Sequence, residues 1–154
     1  MNMSDPITIN NRPANAHIHD IRVNWGDCDP ARIAYTARLP AFALDAINGW
    51  WEAKFEGNGW YQLVIDRNVG TPFVHMSLDF HHPVTPRHLL QCHVWPTRLG
   101  NKSIEFWVDG CQNGVVCFSG QFVCVFTISD EHISTKPPSD IRLMVEAHLD
   151  GAAN

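Results

Sequence analysis

A short polar stretch, Trp25-Gly26-Asp27-Cys28-Asp29-Pro30, places two carboxylates directly before the clearest helix of the sequence. A carboxylate there lies near backbone N–H groups that the first turn of a helix leaves unpaired, and near the positive end of the helix dipole. The same N–H groups can polarise a carbonyl oxygen. These residue types suit attack on a carbonyl carbon, although the residues alone favour a simpler interpretation of Asp27 and Asp29 as turn-forming and capping residues.

The helix that must position these groups is predicted over residues 36–54. Thr36 is the predicted N-cap, and Pro40 falls near the first turn, where a missing N–H costs little. The apolar residues recur at the spacing of one buried helical stripe. They are Leu39, Phe42, Ala43, Ala46, Ile47, Trp50 and Trp51.

The remaining segments show the two-residue alternation and the turn signals of β-strands. Strands are predicted over residues 17–25 (with Ile21, Val23 and Trp25 on the buried face), 60–66 (a short segment of mixed pattern, so that four or five strands follow the helix), 71–83, 89–97, 103–111 and 115–128. Asn113-Gly114 is a strong hairpin signal between the last two, and Ser139 is expected to cap a helix over 140–149. One long apolar helix beside one antiparallel meander predicts an α+β domain, in which a curved sheet wraps around the helix.

Composition narrows the class of protein. A chain of 154 residues is expected to form one domain, here residues 15–150, after a polar and flexible tail over residues 1–14. The net charge of −5 lacks the basic surplus of nucleic-acid binders, and no run approaches the roughly 20 apolar residues of a membrane span. Five cysteines without a CxxC pair favour reduced thiols in the cytoplasm.

Asp27-Cys28-Asp29-Pro30-Ala31, followed by Ile33, Tyr35 and the long helix, resembles the signature of the 4-hydroxybenzoyl-CoA thioesterase family. Val69-Gly70-Thr71-Pro72 and Lys102-Ser103, each at the start of a predicted strand, agree with that family, and the resemblance covers roughly residues 17–145. The resemblance implies the hot-dog fold, an antiparallel curved sheet around one long central helix. It also implies hydrolysis of an acyl-CoA, without a metal and with no cofactor beyond the coenzyme A of the substrate.

The family motif also implies roles for individual residues. Asp29 corresponds to the catalytic carboxylate, acting as nucleophile or as general base, and the Thr36 backbone N–H to the group that polarises the thioester carbonyl. Contacts to the substrate and to CoA are expected from Tyr35, Thr71, His75, Arg87, Arg98, Asn101, Lys102 and Ser103. The expected acyl group is aromatic or of short to medium length, because the chain is rich in Trp and Phe.

Two positions depart from the family pattern. Arg32 stands where the family usually has glycine, and glycine takes backbone angles that arginine avoids. Leu44 stands where many members carry an acid, which argues against a contact to a substrate phenol there.

The family's subunits pair edge to edge with active sites at the interface, so the resemblance implies a homo-oligomer, either a dimer or a dimer of dimers (a homotetramer).

Other interpretations stay open at this point. Asp45 or Glu52 would be the catalytic acid of a second hot-dog layout, although the amphipathic pattern places both at the solvent side of the helix. Cys28 is a poor nucleophile between two carboxylates, which disfavour its thiolate. His17 and His19 share a face, but two ligands make a poor zinc site, and no metal site is expected. The main alternative function is a non-hydrolytic hot-dog domain: an acyl-CoA-binding protein, a dehydratase or a cyclase.

Overall fold

The structure, a computed structural model, describes residues 12–151, so that all but the last three residues of the predicted flexible tail lie outside it. The helices and strands of this part follow one another as β1 (His17–Ile21), α1 (Arg38–Lys54), α2 (Gly59–Tyr61), β2 (Val69–Gly70), β3 (Phe73–Phe80), β4 (Leu90–Leu99), β5 (Ser103–Gln112), β6 (Val115–Val125), β7 (Thr127–Ile128), β8 (Ile133–Ser134) and α3 (Ser139–Gly151). None of these helices combines the length and apolarity needed to cross a bilayer.

Five antiparallel strands form the main sheet, in the order β1-β4-β5-β6-β3. A second, small sheet has the order β2-β7-β8. The curved main sheet wraps around α1, which confirms the predicted α+β architecture and the hot-dog fold. Asn113 and Gly114 both take positive φ, 51° and 76°, as a two-residue hairpin turn requires, so the predicted β5–β6 hairpin is confirmed.

The core lies between α1 and one face of the main sheet. The predicted apolar stripe of α1 is buried in full, and the Trp50 ring lies edge-on to Phe106 of β5, with ring centroids 5.1 Å apart. Truncating a buried aromatic side chain of this kind to alanine typically costs about 3–5 kcal/mol. Gly49 of α1 is also buried, and only glycine fits there, because a Cβ would overlap the His19 ring of β1. The helix and the first strand therefore pack at unusually close range.

Two sequence predictions near the start of the chain are wrong. The predicted strand 17–25 ends at Ile21, after which the chain turns, and Trp25 is 72% exposed rather than buried. Helix α1 begins at Arg38 and not at Thr36; its N-cap is Ala37, and no side chain caps the first turn. The reason is a separate turn before the helix, in which the Arg38 N–H donates to the Tyr35 carbonyl.

The segment 60–66, predicted as a strand, is helical. Helix α2 continues into a π-helical turn, Gln62–Asp66. The Trp60 N–H donates to the side-chain oxygen of Asn48 on α1 at 2.9 Å, and Leu63 is fully buried. A contact to a residue 12 positions earlier thus decides the local structure, and a short window of sequence does not contain that information.

Candidate active site

The loop between β1 and α1 is a narrow antiparallel hairpin. The Tyr35 N–H donates to the Asp27 carbonyl at 2.8 Å, and the Asp29 N–H donates to the Ile33 carbonyl at 3.0 Å. Between these pairs, the Ala34 N–H donates to the Val84 carbonyl at 2.7 Å, which fixes the loop to the segment between β3 and β4. Backbone hydrogen bonds therefore hold both predicted aspartates in defined positions.

A tight turn over residues 29–32 closes the tip of this hairpin. The Arg32 N–H donates to the Asp29 carbonyl at 2.9 Å, and Pro30 stands at the second position of the turn, where its fixed φ is favourable. Arg32 itself takes φ 66°, in the left-handed region. The chain thus adopts at this position the backbone conformation that the family's usual glycine takes most easily, despite the arginine side chain.

Replacing Arg32 by glycine is therefore expected to raise the free energy of unfolding, by about 1 kcal/mol, because the left-handed conformation costs an L-residue with a Cβ roughly that amount. Urea unfolding at constant slope measures the change. Arg32→Ala is the matched control: it removes the guanidinium but keeps the Cβ, and no gain is expected from it. An equal gain in both variants would assign the effect to the guanidinium and not to the backbone.

The Asp29 carboxylate lies half-buried near this tip. Its Oδ1 accepts the Ala31 N–H at 2.8 Å, which orients the side chain. Its Oδ2 accepts no hydrogen bond from residues 12–151. One carboxylate oxygen is therefore held by the loop, while the other is open to a substrate or to a water molecule.

Two backbone N–H groups at the start of α1 are also open. Within the described chain, the N–H groups of Thr36 and Ala37 donate to no acceptor, whereas the next two, of Arg38 and Leu39, donate to carbonyls of the preceding turn. Pro40, which follows them, has no N–H. The first turn of α1 contains no acidic residue that would offset the positive end of the helix dipole. The helix start thus presents two donors and a positive field to an incoming carbonyl oxygen.

Asp27, the first aspartate of the motif, has a different environment from Asp29. It is 6% exposed; its Oδ2 accepts the Asn24 N–H at 2.8 Å, and its Oδ1 accepts the Arg38 guanidinium through Nε at 2.9 Å and through Nη2. The Asn24 N–H, and after it the Arg38 side chain, hold the pKa of the Asp27 carboxyl below its ordinary value. Since both oxygens are occupied, Asp27 is not available to a substrate.

The β4–β5 turn carries three of the residues expected to contact the substrate and CoA, Asn101, Lys102 and Ser103. The Gly100 N–H donates to the Ser103 carbonyl at 2.8 Å, and the side chains of Asn101 and Lys102 are exposed. Arg142 of α3 donates to the Gly100 carbonyl at 2.8 Å and to the Asn101 carbonyl at 3.0 Å. Sequence reasoning missed Arg142, because it lies about forty residues away from the turn and belongs to no local motif.

The predicted site residues lie at opposite ends of the sheet. Arg87 precedes β4, near the Asp29 loop, whereas Lys102 follows the same strand, and ten strand residues span about 33 Å. Within one chain, Arg87 is therefore far from Arg98 and Lys102. Thr71 and His75 lie at the Lys102 end of the sheet. The carbonyl of Pro72, the neighbour of Thr71, and the carbonyl of Lys102 accept hydrogen bonds from successive N–H groups, those of Val125 and Phe126.

Next to Thr71 lies an open and mostly apolar cleft of about 320 Å³. Trp60, Val64 and Phe73 form its apolar wall, and the rings of Trp60 and Phe73 meet edge-on with centroids 5.8 Å apart. Thr71 is 8% exposed and lines the cleft as one of its polar groups. In one chain this cleft and the Asp29 loop are at different ends of the sheet.

The alternative sites gain no support from the geometry. Asp45 is exposed, and Glu52 accepts a hydrogen bond from the Asn48 side chain at 3.1 Å, as expected for residues on the outer side of a helix. The rings of His17 and His19 have centroids 6.2 Å apart. In the part of the chain that the structure covers, no three His, Cys, Asp or Glu side chains come together as metal ligands would.

A curved antiparallel sheet around one helix, with a free carboxylate and open amides in the loop before that helix, defines a hot-dog domain of the thioesterase type. The chain belongs to the thioesterase-like superfamily, whose model matches residues 23–145. Among solved structures, a thioesterase-superfamily protein from Jannaschia sp. CCS1 is 59% identical, with 90% of this chain and 96% of that chain covered and a TM-score of 0.86.

Two more distant structures share the fold. A predicted thioesterase from Bacillus stearothermophilus is 20% identical over 86% of this chain and 95% of its own, with a TM-score of 0.74. A gentisyl-coenzyme A thioesterase is 21% identical over 82% of this chain and 99% of its own, with a TM-score of 0.73. No curated protein matches the chain. The superfamily is broader than the 4-hydroxybenzoyl-CoA thioesterases that the motif resembles.

Proposed function

We propose that the protein hydrolyses the thioester of an acyl-CoA to the free acid and CoA. The observation that carries this proposal is the pairing, within one ordered loop, of a carboxylate that has an open oxygen (Asp29) with two open amides at a helix start (Thr36 and Ala37). The thioester carbonyl accepts the Thr36 N–H, which stabilises the charge that develops on its oxygen. The Ala37 N–H offers a second donor.

Asp29 then acts in one of two ways, and both give the same products. As a nucleophile it attacks the thioester carbon, the C–S bond breaks with CoA leaving as its thiolate, and water hydrolyses the acyl-aspartate. As a general base it takes a proton from a water molecule, whose oxygen attacks the same carbon, and the C–S bond breaks with CoA leaving as its thiolate. Water and the thioester are the only reactants in either case.

The proposed active unit contains two copies of the chain, joined through β3. This strand is an edge of the main sheet and carries apolar side chains that are largely exposed: Val74 at 60%, Met76 at 39% and Phe80 at 43%. Antiparallel pairing of β3 with its copy would place the Phe73 end of one strand beside the Phe80 end of the other. Thr71, His75 and the apolar cleft of the second copy would then approach the Asp29 loop of the first.

This arrangement would reunite the predicted site residues that one chain separates. Tyr35, 54% exposed beside Thr36, would contact the substrate from the loop side. The exposed cations Arg98 and Lys102, with Asn101 and Ser103, suit the phosphates of CoA, and the cleft suits an aromatic or a short to medium acyl group. All five cysteines are unpaired, which supports placing the reaction in the reducing cytoplasm.

A panel of acyl-CoAs, assayed for free thiol with a chromogenic thiol reagent, tests the proposal. We expect thiol release from at least one aromatic or short- to medium-chain acyl-CoA, and none from the matching CoA thioether, which lacks the carbonyl. If a well-folded preparation released no thiol from any member of the panel, hydrolysis would be excluded and a non-hydrolytic hot-dog domain would be favoured.

A further inference from the structure

The two open amides lie between two residues that are both tied to Asp27. The Asp27 carbonyl accepts the Tyr35 N–H at 2.8 Å, directly before Thr36. The Asp27 carboxylate accepts the Arg38 guanidinium, directly after Ala37. The backbone that carries the amides is thus held from both sides by a single buried residue.

The start of α1 departs from the usual chemistry of helix starts. Ser, Thr, Asp or Asn normally cap a helix by accepting its first N–H groups, and acidic residues favour the first turn. Here the N-cap is Ala37, no side chain caps the turn, and the first helical residue is the cation Arg38. A cation at the positive end of the helix dipole is unfavourable. The ion pair of Arg38 with Asp27 offsets this electrostatic repulsion.

This departure has a functional consequence. A capping side chain would stabilise the helix start but would also occupy the N–H groups that a substrate carbonyl needs. The ion pair of Asp27 and Arg38 stabilises the same stretch of backbone without occupying its N–H groups, which stay open to a substrate. Departures from local sequence rules with a compensating contact are typical of functional sites.

We propose that Asp27 is a positioning residue: its carboxylate, through Arg38, holds the Thr36 and Ala37 amides in a preformed carbonyl-binding arrangement in place of a helix cap, while its backbone carbonyl fixes Tyr35. This inference rests on the proposed thioesterase function. Asp27 does not touch the reacting atoms; it acts through the backbone on either side of the amides.

Arg38→Gln and Asp27→Asn are the test variants. Arg38 has a side chain that is 51% exposed, so its replacement is not expected to unfold the protein, and asparagine keeps the shape of the buried Asp27. Removing one carbonyl-binding donor outright costs about 10²–10³ in kcat. Loss of positioning alone is expected to lower kcat by about tenfold with KM changed less than about threefold, and Arg38→Lys is expected to recover part of the loss.

Binding of two unreactive analogues separates positioning from general stability. In one analogue a methylene replaces the thioester sulfur, so the carbonyl is kept; in the other, a thioether, the carbonyl is absent. The wild-type protein is expected to bind the ketone more tightly, and both variants to lose most of that preference while binding the thioether unchanged. Arg67→Gln, which breaks the Arg67–Asp140 ion pair (2.7 Å) elsewhere on the surface, is the control and is expected to change neither quantity.

Each outcome decides one question. If the wild-type protein prefers the ketone and both variants keep this preference and kcat, the positioning role of Asp27 is refuted while the proposed hydrolysis stands. If the wild-type protein shows no preference for the ketone, the amides do not bind a carbonyl and the inference is again refuted. If the wild-type protein releases no thiol from any acyl-CoA but its preference for the ketone depends on Asp27, then hydrolysis fails and the positioning role survives.

Discussion

Replacing Asp29 by asparagine is expected to lower kcat for acyl-CoA hydrolysis by at least about a hundredfold, the usual scale for a catalytic acid–base group. The amide oxygen of asparagine can still accept the Ala31 N–H that orients the side chain at 2.8 Å, so the loop keeps its shape. What is lost is the negative charge, and with it both the nucleophile and the base. Thiol release under saturating acyl-CoA measures the effect.

Asp45→Asn provides the matched control for this prediction. Asp45 is also an aspartate, it is exposed, and it lies on α1, the helix that follows the Asp29 loop. We expect wild-type kcat and KM from this variant. Activity near the wild-type value in Asp29→Asn would remove Asp29 from the mechanism and would leave the open amides without a catalytic partner.

The sequence predicted those parts of the fold that depend on residues a few positions apart. The stripe from Leu39 to Trp51 repeats at the helical period, and Asn113-Gly114 requires the left-handed angles that the hairpin shows. The two aspartates were also identified from the sequence. The family resemblance assigned the catalytic role to Asp29 alone, but the sequence did not predict that Arg38 occupies the Asp27 carboxylate, because that contact joins residues eleven positions apart.

The remaining errors share a physical cause. Thr36 was predicted as the N-cap from its residue type, but the turn closed by Tyr35 and Arg38 moves the N-cap by one residue, to Ala37. Arg87 and Lys102 were both predicted to contact the substrate or CoA, and only the length of β4 shows that they lie far apart within one chain. Register and strand length are properties of the assembled sheet, and single residues do not report them.

A second large loss of activity is expected when the free edge strand β3 is made charged. Lysines at Val74 and Met76 together are expected to prevent the proposed pairing of two copies, because charged side chains on an edge strand oppose the addition of another strand. Both positions are already exposed in the single chain, so the fold of each copy should persist. We expect half the wild-type mass in sedimentation, an unchanged circular dichroism spectrum, and a fall of kcat/KM of about a hundredfold, since most of the predicted substrate contacts would be missing.

Ile18→Lys is the control that makes this experiment specific. Ile18 lies on β1, the opposite edge of the same sheet, and is 50% exposed, close to the exposure of Val74. A lysine there adds a positive charge to the opposite edge strand but leaves β3 apolar, so mass and activity should stay at the wild-type values. A lysine-substituted β3 variant that is monomeric and fully active would show that one chain holds a complete site. In that case Thr71, His75 and the apolar cleft would lie too far from Asp29 to act on the same thioester, because the sheet separates its two ends by the length of a ten-residue strand.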